Sequence, residues 1–150
     1  MSRRGFQARA EIDRPPAEVW RAITDFSRVG AWMPGIARMT PLDDAAMAAG
    51  KRYECAFAAS GRGKSTVVTL AEWEPEAMRF ALASTQSGMH THYRYSLVPA
   101  ADGGTEVTLD AACEARQPMM KLFHPLIGSL MAKHDSRQMP LLKAMVEAGS

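Results

Sequence analysis

The sequence predicts an α+β fold in which one curved antiparallel sheet packs against helices. Three observations predict it: closely spaced turn signals through the middle of the chain, two-residue alternation of apolar and polar side chains between them, and helical periodicity confined to the two ends. Strands and helices that segregate in this way, instead of alternating, argue for an antiparallel rather than a parallel sheet. With 150 residues, 47% of them hydrophobic and 23% charged, the chain is expected to form a single domain over residues 1–150. A core of that size needs neither metal nor disulfide support.

The elements follow in order. A first strand runs from Phe6 to Asp13. Helical periodicity then spans Pro16 to Phe26, where Val19, Trp20, Ile23 and Phe26 share a face and Pro16 and Glu18 suit the first turn. Ala45 to Ala49, leading into Gly50, reads as a loop joining two strands. Turns at Ser60-Gly61-Arg62-Gly63, Glu74-Pro75-Glu76, Gln86-Ser87-Gly88 and Asp102-Gly103-Gly104 mark consecutive hairpins. Between them one side of the meander collects Tyr53, Cys55 and Phe57, then Met78, Phe80 and Leu82, then Thr91, Tyr93, Tyr95 and Leu97, then Val107, Leu109, Ala111 and Cys113. The final zone, Pro118 to Ala148, reads as one long helix with Phe123, Ile127, Leu130, Leu141 and Met145 on its apolar stripe. Pro140 lacks the donor that would bond Ser136, so a kink is expected there.

A sheet of about six or seven strands coils, and its concave side rarely closes completely around one helix. The phenols of Tyr53, Tyr93 and Tyr95 on that side each need a hydrogen-bond partner if shut away from water. A face that mixes such groups with apolar ones has the composition of a small-molecule pocket, and Met78, Met119, Met120 and Met131 would supply adaptable lining.

Charge and motifs exclude several classes. Eighteen Lys and Arg against sixteen Asp and Glu give a net charge of +2, scattered along the chain, which leaves no nucleic-acid footprint. The opening MSRRGFQARAEID lacks a secretory apolar run, and no integral membrane segment is expected; a cytoplasmic protein with reduced thiols follows. Cys55 and Cys113 are read as small inward-facing hydrophobes. Ala58 to Ser65, AASGRGKS, approximates a phosphate-binding loop, but Thr66-Val67-Val68-Thr69-Leu70 continues as a strand where such a loop must open a helix. His90, His92 and Arg94 share a strand face opposite Tyr93, which assigns them to the outside, and a slip of one residue would bring them inside. No metal site and no cofactor are expected.

Pro15-Pro16-Ala17-Glu18-Val19-Trp20, Asp25-Phe26 and Ala31-Trp32-Met33-Pro34-Gly35 resemble the polyketide cyclase/dehydrase-like branch of the START-related (SRPBCC) superfamily. The likeness continues through Tyr95-Ser96-Leu97-Val98-Pro99, Gly103-Gly104-Thr105-Glu106-Val107-Thr108 and Leu141-Leu142-Lys143. The resemblance implies a helix-grip fold, in which a curved sheet wraps a long C-terminal helix around a hydrophobic cavity. It also implies a hydrophobic small-molecule partner such as a lipid, quinone or polyketide, and it puts Trp32 and Met33 near the cavity mouth.

The candidate ligand-binding residues are therefore Trp32, Met33, Tyr53, Phe57, Phe80, Leu82, Thr91, Tyr93, Tyr95, Phe123, Ile127, Leu130 and His134. His134, on the apolar stripe, is the one candidate for proton transfer, although its neighbour Asp135 points about 100° away on a helix. Three functions compete: a carrier or sequestering module for an apolar molecule, a cyclase or dehydratase acting in the same cavity, and an interaction or homodimer scaffold using aromatics such as Trp73 or the loop at Trp32.

Overall fold

The alternating segments form seven strands, β1 (Arg3–Ile12), β2 (Ile36–Pro41), β3 (Arg52–Phe57), β4 (Ser65–Glu74), β5 (Arg79–Gln86), β6 (Met89–Pro99) and β7 (Thr105–Ala115). The computed structural model describes residues 3–58, 65–86, 88–115, 133 and 135–149. All seven strands join one curved antiparallel sheet in the order β1-β7-β6-β5-β4-β3-β2, so the chain leaves one edge after β1, crosses to the other, and returns by hairpins. The helices occupy the concave side, which is the helix-grip arrangement.

Register sets which side chains meet there. Tyr93 pairs with Leu82 on one flank and Ala111 on the other, and Tyr95 with Phe80 and Leu109. Leu70, Phe80, Tyr95, Val107 and Leu109 are all inaccessible on the concave face, each worth about 1.5–3 kcal/mol where the side chain is large and fully buried. His90, His92 and Arg94 project from the convex face, where Glu72 accepts from Arg94 Nη2 at 2.6 Å and lies 3.4 Å from His92 Nε2.

β4 departs from simple alternation. Leu70 pairs with Leu82 and Glu72 with Ala81, so Ala71 is an extra residue, a bulge that turns Trp73 to the concave side. Trp73 therefore stacks on Trp20 at 5.3 Å between ring centroids and is not the free surface aromatic expected of it. Met78 also differs from a strand residue: it takes a left-handed conformation, φ 53°, closing the short 3-10 turn Pro75–Ala77 before β5.

The first helix, α1 (Pro16–Ile23), stops earlier than the periodicity to Phe26 suggests. Thr24 returns its hydroxyl to the Trp20 carbonyl at 2.7 Å, and Asp25 accepts from the Ser27 backbone N–H at 3.2 Å, capping a new 3-10 helix over Phe26–Ala31. Gly30 lies against β2: a Cβ there would stand 2.7 Å from the Ala37 carbonyl oxygen, too close for any other residue without movement of the backbone.

At the C-terminus, α2 (Gln138–Glu147) begins just ahead of Pro140 and is not bent by it. Pro140 sits in the first turn, where a missing N–H costs nothing, and the Ser136 carbonyl takes the Met139 N–H at 3.3 Å. The expected kink is thus a break between turns at 136–137, and the helix restarts in a phase that buries Met139, Leu142, Met145 and Val146 while Leu141 is only half-buried. Its far end is tied to the start of the chain: Lys143 Nζ donates to the Glu11 carbonyl at 2.6 Å, and Glu147 accepts the Asp13 N–H at 2.9 Å.

Candidate ligand-binding site

The concave face is divided. On the α1 side, rings fill it: Phe80 stacks on Tyr95 at 4.9 Å and 20°, Phe26 meets Tyr53 edge-on at 5.4 Å, and Trp32 meets Tyr95 edge-on at 5.5 Å. Aromatic edges and faces attract one another electrostatically, so such a block excludes space. Toward the β2–β4 end no ring of the described residues fills the gap, and a cavity of about 330 Å³ opens there, within the size range of small-molecule pockets.

Six of the sequence-derived candidates line this cavity: Met33, Phe57, Leu82, Thr91, Tyr93 and Tyr95. Three belong to the packed block beside it. Trp32 is fully enclosed with its indole N–H lacking a hydrogen-bond partner, Phe80 is inaccessible, and Tyr53 turns its hydroxyl to the Met47 sulfur at 3.0 Å. Trp32 is accordingly not exposed at the cavity mouth, nor available as a docking surface. Phe123, Ile127, Leu130 and His134 lie outside the described residues, as do Met119, Met120, Met131 and the glycine-rich stretch 59–64.

The polar end of the cavity is built by β6 and the approach to α2. Tyr93 donates its hydroxyl to the Asp135 carboxylate, and Tyr95 donates to Gln138 Oε1 at 2.6 Å. Asp135 and Gln138, three residues apart, face the same way, while Tyr93 and Tyr95, two apart on a strand, share the opposing face. Ser84 and Thr91 pair their hydroxyls at 2.9 Å across β5 and β6. Sequence reasoning anticipated that the phenols need acceptors but did not find Asp135 and Gln138, because helix phase is unreadable where a proline restarts it. Ile36, Met39 and Val68 complete much of the apolar wall, and Thr66 of β4 adds a hydroxyl to it.

Electrostatics follow from burial. Loss of hydration pushes the Tyr93 phenol far above its ordinary value, and the Asp135 charge and hydrogen bond push it further the same way. Tyr95 is raised by desolvation first and by the Asp135 charge second, against an opposing contribution from Gln138. Both therefore remain protonated donors at neutral pH. Burial lifts the Cys55 thiol, on the cavity wall, to about 11, so it is no nucleophile there. Among the described residues no cluster of His, Cys, Asp and Glu could hold a metal ion, and no helix is long and apolar enough to cross a membrane.

Residues 3–147 match the sequence profile of a family described as polyketide cyclase / dehydrase and lipid transport. Among curated proteins none matches in sequence. Solved structures share the architecture. The protein TTHA0849 from Thermus thermophilus superposes with a TM-score of 0.76 at 22% identity, over 97% of this chain and 99% of that one. The Zhui aromatase/cyclase from Streptomyces sp. R1128 gives 0.79 at 10% identity over 99% of both chains. Ara h 8.0201 gives 0.72 at 14% identity over 99% of this chain and 100% of that one. At these identities the likeness is one of fold, which a variety of functions can share.

Proposed function

The chain belongs to the polyketide cyclase / dehydrase and lipid transport family, and from that premise we propose that it binds one apolar small molecule in the concave cavity, carrying, sequestering or presenting it. The observation that supports this is the cavity of about 330 Å³, walled by Met33, Ile36, Met39, Phe57, Val68 and Leu82, with Tyr93, Tyr95, Asp135 and Gln138 gathered at one end among the described residues. Removing apolar surface from water supplies affinity at about 25 cal/mol per Å², and the polar end orients the guest. The whole of residues 1–150 acts as one binding domain in a cytoplasmic setting, with both thiols reduced.

A cyclase or dehydratase is the second reading, favoured by one feature: a tyrosine hydroxyl and a carboxylate, Tyr93 and Asp135, hydrogen-bonded inside the cavity. A phenol held so firmly protonated is a poor proton source and a poor base, which weighs toward binding. Native mass spectrometry after incubation with a mixed extract of lipids, quinones and polyketides tests the first reading. A stoichiometric adduct is expected, and Val68→Trp, which fills the cavity, should abolish it with the circular-dichroism spectrum unchanged. An adduct that persists in Val68→Trp, or none with the native protein, overturns it; release of a chemically altered guest establishes the second.

A further inference from the structure

The side-chain donors that line the cavity are nearly all engaged or solvated. Tyr93 donates to Asp135 and Tyr95 to Gln138 Oε1. Ser84 and Thr91 hold each other at 2.9 Å, with the Ser84 carbonyl 3.4 Å from the Thr91 hydroxyl as a second acceptor, and Thr66 is half-exposed, within reach of water. The Gln138 amide is different. A wholly buried phenol must donate, and Gln138 Oε1 is its acceptor at 2.6 Å, which fixes the amide with its oxygen toward Tyr95 and its Nε2 turned away. Nε2 carries two N–H donors, and no described residue accepts from either. Gln138 is 3% exposed and lines the cavity, yet its Nε2 is not sealed off as the orphan indole N–H of Trp32 is, so what it reaches is the cavity space.

We propose that Gln138 is the specificity-determining residue of the cavity and that its Nε2 donates to a neutral acceptor oxygen on the guest, a ketone, aldehyde or ester carbonyl. This rests on the cavity holding an apolar molecule and names the polar group that molecule carries. A donor shut away from bulk water without an acceptor is costly, and a guest carbonyl entering the same apolar space has given up its own water, so each satisfies the other. A plain hydrocarbon of the same shape leaves both N–H groups unmet. Gln138 opens α2 two residues ahead of Pro140, and Met139 and Leu142 are buried beside it, so the donor stands on a rigid element with its orientation set before the guest arrives.

Acetylnaphthalene and isopropenylnaphthalene share one shape and differ in a C=O against a C=CH₂ group, and with naphthalene they make the probes. Isothermal titration calorimetry compares the native protein with the double variant Tyr95→Phe/Gln138→Met, which removes the amide without stranding the phenol. The ratio of ketone to alkene affinity should be about tenfold higher in the native protein than in the variant, the scale of a buried carbonyl losing its donor. Isotope-edited infrared spectra should place the C=O stretch of the bound ketone below its value in hexane, and closer to that value in the variant. If the double variant does not fold, the infrared measurement on the native protein decides. Equal ratios in the two folded proteins, a native C=O stretch at the hexane value, or hydrocarbons that bind where the ketone does not, overturn the assignment of Gln138 while the carrier function stands. No binding by any probe, naphthalene included, overturns both.

Discussion

Replacing Tyr95 by Phe removes one oxygen and nothing else from a side chain that is wholly inaccessible. That oxygen donates to Gln138 Oε1 at 2.6 Å, and Gln138 is itself only 3% exposed, so its carbonyl oxygen has little contact with bulk water once the donor is gone. A buried acceptor left without its donor costs about 1–3 kcal/mol, more than the net worth of the bond. For a domain near 150 residues each kcal/mol corresponds to roughly 2–4 °C in Tm, so Tyr95→Phe should melt about 4–8 °C lower for a cost near 2 kcal/mol. Gln138→Met should lose a similar amount, because it leaves the tyrosine hydroxyl stranded. The double variant should lose much less than the sum of the two, since removing both partners leaves no unsatisfied group. Calorimetric or urea unfolding of the four proteins closes the cycle. A Tm change below about 1 °C in Tyr95→Phe, or strict additivity in the double variant, would refute the claim that this bond pins α2 to the sheet.

Two further outcomes are expected. Arg94 holds the Glu72 carboxyl below its ordinary 4.5, so the stability this pair adds is complete above that value and lost as pH falls through the lowered one; Glu72→Gln should cost at most about 1 kcal/mol at pH 7, the difference from the native protein vanishing in acid unfolding titrations. With its thiol near 11, Cys55 is about 0.1% thiolate at pH 8, so iodoacetamide should label it hundreds of times more slowly than a free cysteine, and labelling at the free rate in the native state would contradict its burial on the cavity wall.

The sheet was legible because its period is two and its turns carry glycine and proline, so the inward set Tyr93, Tyr95, Phe80, Leu82 and Leu109 could be read along the strands. β2 was less visible: its only buried residue is Met39, and its pairing slips between Ile36 and Arg38. The end of α1 was misplaced because apolar spacing continues through Phe26 while the hydrogen bonding does not; the competing signals were the side chains of Thr24 and Asp25. At the site, strand parity delivered Thr91, Tyr93 and Tyr95, and the family resemblance pointed to the segment that contains Met33. Parity cannot say which inward aromatics pack against each other and which face empty space; Phe80 and Tyr53 went to the block because α1 and the 3-10 helix bring Trp20 and Phe26 to them, and Trp32 because it ends that 3-10 helix against Tyr95. Asp135 and Gln138 needed knowledge that Pro140 opens a helix instead of interrupting one.

Ala71 makes β4 a strand that obeys opposite rules on its two sides. Counting by twos from Thr66 reaches Val68 and Leu70 on the inner wall, and the count must then skip once to arrive at Trp73 instead of Glu72. Deleting that single small residue would leave plain alternation, with Leu70, Glu72 and Trp73 opposite Leu82, Ala81 and Phe80 in unbroken succession, so the indole would keep its place against Trp20 and Glu72 its place beside Arg94; putting a residue back anywhere else in the strand would aim the indole or the carboxylate the wrong way. Among homologous chains, a gap of one residue should therefore be tolerated at the position of Ala71, whereas a gap farther along the strand should need a second compensating change that restores the count.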